Sequence, residues 1–330
     1  MSPALKVENL IAELRLRRGA LRPVDGVSFE VNPGETLGIV GESGSGKSMT
    51  CLSVLRLLPK PAGRIAAGSV IVGGTDLTTL SEREMARDWR GRRVSMVTQD
   101  PMTSLNPVYT VGDQVGAPVR YHRIVRTIRA ARARAAEALR LVRIPSPETR
   151  LDDYPHQFSG GMRQRVVSAM AIACAPEIMI ADEPTSNLDV TIQVKMMELY
   201  RQLQDETGMA IVLITHDMGV AASICDRIAV MYAGRIVEQG PAREIFRRPA
   251  HPYTQALLDS IPKLGEKRRR LYALGGQPPS LLDLPKGCRF AARCPQRQAG
   301  CGDGYPPDFT VGEAHVAACW RYGKGKADAA

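Results

Sequence analysis

The chain has 330 residues, 44% of them hydrophobic and 24% charged, with 30 Gly, 23 Pro and a formal net charge of +10 at pH 7. Such a length allows one large domain with an appendage, and the composition excludes a collagen, a coiled coil or a disordered chain. The longest apolar stretches, residues 166–176 and 209–215, fall far below the ~18–20 residues of a membrane-spanning helix. Lys6, Glu8 and Glu13 interrupt the N-terminus before a secretory apolar core can form, so a cytoplasmic location is expected.

From residue 24 to about 237, short apolar runs alternate with longer helical stretches, the pattern of an α/β domain with a largely parallel sheet. Strands are predicted at 36–40, 94–98, 178–181, 211–215 and 228–231. Each is short and rich in Val or Ile, as strands covered on both faces are, and the last leads into a hairpin through Ala233-Gly234. A helix is predicted over 49–58 and a basic one over 123–143, which Ile144-Pro145-Ser146-Pro147 stops. After Pro241, prolines punctuate a region of little periodicity, and a domain boundary is expected near 245, dividing the chain into 1–245 and 246–330. The last quarter carries 14 Lys/Arg against 7 Asp/Glu. A basic tail suits an acidic partner or anionic lipid. Its only dense run is Lys267-Arg268-Arg269-Arg270, however, and without interleaved aromatics this fits a solvated surface better.

Gly41-Glu42-Ser43-Gly44-Ser45-Gly46-Lys47-Ser48 satisfies G-x-x-x-x-G-K-[ST], follows a predicted strand and opens a predicted helix, the context a P-loop requires. Glycines let backbone N–H groups turn inward around β- and γ-phosphates, and the helix N-terminus beginning near Met49 adds partial positive charge. Lys47 supplies a full charge, and Ser48 a hydroxyl for Mg²⁺. The run Ile178-Met179-Ile180-Ala181-Asp182-Glu183 ends a buried strand in two acids: Asp182 is placed to hold the Mg²⁺ shell, and Glu183 to polarise a water beyond the γ-phosphate.

Phe158-Ser159-Gly160-Gly161-Met162-Arg163-Gln164-Arg165, just upstream of that strand, resembles the signature sequence of ATP-binding-cassette (ABC) ATPases. Their other markers stand around it in order: Gln99 (the Q-loop), Ser186-Asn187-Leu188-Asp189 (the D-loop) and His216 (the switch histidine). The resemblance implies a P-loop NTPase fold of α/β class with a RecA-like core, an antiparallel β part and an α-helical signature subdomain. It implies ATP and Mg²⁺ as ligands, with Gln99 reaching Mg²⁺ and the γ-phosphate and His216 aligning water with Glu183. Two cassettes would meet head to tail, so that Ser159, Gly160, Gly161 and Asp189 serve the partner's nucleotide. Arg163 and Arg165 are expected to be structural or solvated.

Gln99-Asp100-Pro101-Met102-Thr103-Ser104-Leu105-Asn106-Pro107 and His251-Pro252-Tyr253-Thr254-Gln255-Ala256-Leu257-Leu258 look like importer ATPases of the dipeptide, oligopeptide and nickel class. That resemblance implies an energy-coupling ATPase subunit at the cytoplasmic face of the membrane. Its partners would be a second, similar cassette, two transmembrane permease subunits and an extracytoplasmic substrate-binding protein. Peptide is the expected cargo and nickel or another small solute the alternative. A soluble ABC ATPase on nucleic acid is disfavoured, since only 118 positions separate Gly41 from Ser159 and no heptad tract lies between them. Two departures stand out. No Phe, Tyr, Trp or His lies between Leu10 and Val24, where family members carry an adenine-stacking aromatic, leaving Leu14 or Leu16 in that place, and the D-loop carries Asn187.

Of seven cysteines, Cys51, Cys174 and Cys225 stand singly in apolar surroundings and read as small buried hydrophobes. Cys288, Cys294, Cys301 and Cys319 cluster in sequence. Disulfides are not expected in a reducing cytosol, and the C-x2-C knuckles of structural zinc are missing. Four thiolates suit a [4Fe–4S] cluster, and the pattern is similar to the C-terminal region of oligopeptide and dipeptide importer ATPases, some of which carry one. The expectation is a small Cys-containing C-terminal domain holding such a cluster, with zinc or reduced thiols as alternatives. Arg289, Arg293 and Arg297 would offset its charge, and Phe290 and Trp320 would shield it.

Overall fold

The computed structural model describes residues 2–17, 19–186, 188–261 and 274–323; Asn187 and the Lys267-Arg268-Arg269-Arg270 run lie outside the described residues. The chain divides into two compact units, one of residues 1–6, 30–36 and 71–214, the other of 7–29, 37–70 and 215–330.

In the first unit the strands Ala210–Thr215, Ile178–Asp182 and Val94–Val97 lie side by side in that order. They are parallel, with Ile178 opposite Ala210 and Val94 opposite Ile178. Every residue of the first two is buried, which is why they read as unbroken apolar runs. The helices Val111–Tyr121, Ile128–Leu141 and Gly160–Ile172 pack on one another. Gly112 permits a close approach there: a Cβ on it would stand 2.7 Å from the Leu151 carbonyl oxygen. The predicted basic helix is shorter than 123–143. Arg123 takes φ 55, and the helix starts at Ile128, where the Thr127 hydroxyl accepts the Ala130 N–H at 3.2 Å. An N-cap of this kind overrides the continuing Arg-rich pattern.

Gly19–Val31, Leu5–Leu16 and Gly63–Val72, most of whose residues belong to the second unit, form neighbouring strands. The first two are joined by a two-residue connection and so run antiparallel. Leu37–Val40 pairs in parallel with Arg227–Tyr232, which turns back through Ala233-Gly234 into the antiparallel strand Arg235–Pro241. Both turn residues have positive φ, 45 and 88, as a tight hairpin requires. All five predicted strands agree with the observed ones to within one residue at each end. The predicted P-loop helix closes earlier, at Val54, followed by Arg56 at φ 52.

The C-terminal extension joins this unit's sheet, because His315–Ala317 pairs antiparallel with Arg235–Pro241. A buried carboxylate fixes the junction. Glu238 accepts the N–H groups of Ala250 and His251 at 2.7 and 2.8 Å and pairs with His315 Nε2 at 2.8 Å. His251 caps the helix Pro252–Asp259, its Nδ1 accepting the Tyr253 N–H at 3.0 Å. Burial lowers its pKa from 6.5 to about 4, so the folded chain keeps it neutral at pH values where the unfolded chain protonates it. Stability from this residue is therefore full above about pH 6.5 and falls as pH drops toward 4, by about 2 kcal/mol at pH 5. Urea unfolding at pH 7 and pH 5 should show a drop about that much larger in the wild type than in His251→Asn, whose amide oxygen keeps the cap; parallel drops would contradict the assignment.

Candidate nucleotide site

The P-loop leaves the strand Thr36–Val40 and enters the helix Lys47–Val54 with Gly46 as N-cap. Gly46 has φ 107, and a Cβ there would stand 2.0 Å from the Pro23 carbonyl oxygen; at Gly41 (φ 154) it would stand 2.2 Å from that of Met231. Only glycine fits either position. Lys47 is buried and folds back, its Nζ donating to the carbonyls of Gly41 at 2.7 Å and Glu42 at 2.9 Å. The Ser45 hydroxyl is buried with no hydrogen-bond partner. Its own carbonyl accepts the Gly234 N–H at 2.7 Å, which ties the loop to the hairpin turn. Ser43, Gly44 and Ser48 are exposed at the rim and Met49 is half-buried. A glycine cradle, an ammonium folded onto loop carbonyls and an orphaned hydroxyl fit a phosphate chain with its Mg²⁺.

The acidic pair sits in the other unit. Asp182 ends its strand, buried and opposite Ile214. Glu183 follows at φ 46, a left-handed conformation unusual for a residue other than glycine and typical of functional turns. Its N–H donates to the Ile214 carbonyl at 3.0 Å, and its Oε2 accepts from Gln99 Nε2 at 3.2 Å. Gln99 and Glu183 are thus brought together.

The signature residues stand nearby in chain and in the same unit. Ser159 and Gly160 are exposed, and the Ser159 hydroxyl caps the helix Gly160–Ile172, accepting from the Met162 N–H at 3.4 Å. A Cβ on Gly161 would stand 2.9 Å from Ile192 Cγ2. Asp189 caps the helix Val190–Thr207 that carries Ile192. Arg163 and Arg165 are structural, donating to the carbonyls of Pro155 at 2.9 Å and Arg143 at 3.1 Å. His216 lies in the second unit, exposed, just before the helix Met218–Ile224. Of the two residues standing in the aromatic position, Leu14 packs toward Gly63, whereas Leu16 is 49% exposed at the strand end.

Sequence reasoning missed the residues that brace the P-loop. The Glu42 N–H donates to the Tyr253 hydroxyl at 2.8 Å. Tyr253 is buried among Tyr232, Phe290 and, beyond it, His251, and burial raises its pKa. Arg293 pairs with the Glu42 carboxylate, and Arg289 with Asp25 and the Ala233 carbonyl. Burial alone would raise the pKa of Asp25, but Arg289 and Arg235 hold it below the usual carboxylate range. Arg289 and Arg293, expected to offset the charge of a cluster, pair with the loop and its surroundings. Phe290 likewise belongs to the aromatic core, while Trp320 lies beside Phe309.

The seven cysteines form no disulfide. Cys288 and Cys301 are linked by a backbone hydrogen bond of 2.8 Å. Burial raises the Cys288 thiol to about 11, with smaller contributions from Cys301, Cys319 and Cys294, and burial also raises Cys294 and Cys319. The donors are right in kind for thiolate ligation. Among the described residues, however, no three His, Cys, Asp or Glu side chains are gathered as a metal ion requires. Also among the described residues, no helix is long and apolar enough to cross a membrane.

Fold and P-loop together define an ATP-binding cassette of the P-loop NTPase class. The family described as "ABC transporter" matches residues 24–186, and "Oligopeptide/dipeptide transporter, C-terminal region" matches 237–301. The chain is 48% identical to the dipeptide transport ATP-binding protein DppD of Bacillus subtilis, over 97% of this chain and 95% of that one. It is 47% identical to the oligopeptide transport ATP-binding protein OppD of the same organism, over 96% and 88%. The dimeric cassette MJ0796, in a post-hydrolysis state bound to ADP and Pi, is similar with a TM-score of 0.64 and 28% identity, covering 72% of this chain and 99% of that one. The chain belongs to the ATP-binding proteins of ABC transporters, in the dipeptide and oligopeptide group.

Proposed function

We propose that this chain is the ATP-hydrolysing, energy-coupling subunit of an ABC importer for dipeptides or oligopeptides, working at the cytoplasmic face of the membrane. The observation that carries this is the glycine-cradled P-loop with its orphaned Ser45 hydroxyl, in a chain whose 237–301 segment matches the peptide-transporter C-terminal region. On ATP binding Lys47 leaves the carbonyls of Gly41 and Glu42 for the β- and γ-phosphate oxygens, and N–H groups of residues 43–49 close on the phosphates. Ser48, Gln99 and Asp182 would hold Mg²⁺, which would supply neutralisation of charge on the phosphate oxygens. Glu183 orients the attacking water, Gln99 positions that carboxylate, and His216 contacts the γ-phosphate. Catalysis is then positioning and charge stabilisation.

In the same proposal residues 1–245 are the ATPase domain and 246–330 the extension. A second cassette, similar but not identical, completes each site, with Ser159, Gly160, Gly161 and Asp189 serving the partner's nucleotide. Of the two permease subunits, one docks on residues 100–109 of this chain, where Val108 and Tyr109 are exposed and Gln114 pins the backbone, its Oε1 accepting from the Asn106 N–H at 2.8 Å. An extracytoplasmic binding protein delivers peptide. In the assembled transporter Glu183→Gln should keep nucleotide binding and lower turnover by roughly 10²–10⁴-fold, whereas Lys47→Ala should weaken binding itself. Turnover near the wild-type rate in Glu183→Gln would remove Glu183 from its role.

Cys288, Cys294, Cys301 and Cys319 are further proposed as ligands of a [4Fe–4S] cluster, with zinc as the alternative. Support comes from the four cysteines lying in one short segment, where the backbone ties Cys288 to Cys301; no step of hydrolysis is assigned to a cluster. Anaerobic purification followed by iron, acid-labile sulfide and zinc analysis should find about four irons and four sulfides per chain. Stoichiometric zinc without sulfide, or no metal, would reject the cluster.

A further inference from the structure

Glu42, the second residue of the P-loop, is engaged at every polar group it has. Its N–H donates to Tyr253 Oη at 2.8 Å and its carbonyl accepts from Lys47 Nζ at 2.9 Å. Its carboxylate accepts two hydrogen bonds from Arg293, from Nη1 at 2.8 Å and Nη2 at 3.0 Å. Arg293 is itself locked. Its Nε donates to the Gly275 carbonyl at 3.0 Å, Nη1 also reaches Tyr232 Oη at 3.2 Å, and the side chain is only 6% exposed against 27% for Glu42. A planar fork held at both ends fixes position and orientation together, which an ammonium cannot do.

Arg289, four residues earlier, braces the far side. It pairs with Asp25 and the Ala233 carbonyl, and the adjoining Gly234 N–H holds the Ser45 carbonyl at 2.7 Å. Both arginines lie in the segment that carries Cys288 and Cys294, 251 positions from Glu42 in the case of Arg293.

We infer that Arg293 is a positioning residue for the nucleotide site: by clamping Glu42 it holds the P-loop in phosphate-binding shape and makes nucleotide affinity depend on the cysteine-bearing segment. This rests on the proposal that the P-loop binds ATP. Two physical effects act together. An unclamped loop spends less time in the competent shape, which lowers apparent affinity by that fraction, and a Glu42 carboxylate released from Arg293 repels incoming phosphate. Neither residue touches the reacting atoms, so the effect falls on binding and not on turnover.

Titration of the full chain with Mg·ADP tests this, using Arg293→Gln, Arg293→Lys, Glu42→Gln and the double Arg293→Gln/Glu42→Gln, with Lys47→Ala as reference. Arg293→Gln should weaken binding about tenfold, Arg293→Lys by less, and the double variant should be no weaker than Arg293→Gln, because coupled groups are non-additive. In the assembled transporter Arg293→Gln should raise KM for Mg·ATP with kcat near wild type. Should Arg293→Gln fail to fold by its melting curve, Arg293→Lys and Glu42→Gln carry the same comparison. Unchanged affinity in Arg293→Gln, or independent effects that multiply in the double variant, overturns the inference. If Lys47→Ala binds Mg·ADP normally, it is the nucleotide-site proposal that fails instead.

Discussion

A loop that offers its backbone N–H groups to phosphates does so by shedding side chains, and with them the means to hold its own shape. Gly41, Gly44 and Gly46 all sit at positive φ. The constraint must therefore come from outside. Pro23 and Met231 wall two of the glycines, Gly234 holds Ser45, and Tyr253 and Arg293 hold Glu42. Strands from both ends of the chain converge on this task, and the C-terminal extension supplies the side chains that hold Glu42.

The two carboxylates and the signature helix obey a different logic. Glu183 is held at φ 46 with its N–H on the neighbouring strand and its carboxylate against Gln99. A strained turn at the end of a fully buried strand aims a charge with little freedom to wander.

Much of this was legible in the sequence. The five core strands were, because strands covered on both faces leave unbroken Val and Ile runs, and so was the P-loop, because strand, glycines, Lys47 and helix are contiguous. The antiparallel strands Leu5–Leu16, Gly19–Val31 and Gly63–Val72 were not located, since half-buried strands mix polar residues such as Glu8, Asn9 and Arg64 into the pattern. The helix start at Ile128 hid behind a run of arginines. The extension was hardest. Its regularity lies in partners far away in sequence: Arg293 with Glu42, Arg289 with Asp25, His315 with Glu238. Prolines and cysteines were visible there, but the pairings that give those arginines their role leave no local period to read.

In the proposed function hydrolysis takes place between two cassettes, each P-loop completed by the other's signature helix. The most direct measurement is the Mg·ATP turnover of the full chain as a strict monomer and again in the complex with its partner cassette and permease subunits. Low turnover alone, a large rise on assembly, and loss of hydrolysis at the partner's P-loop on replacing Ser159 or Gly161 are the results this account predicts. A monomer that turns over as fast as the complex would contradict it.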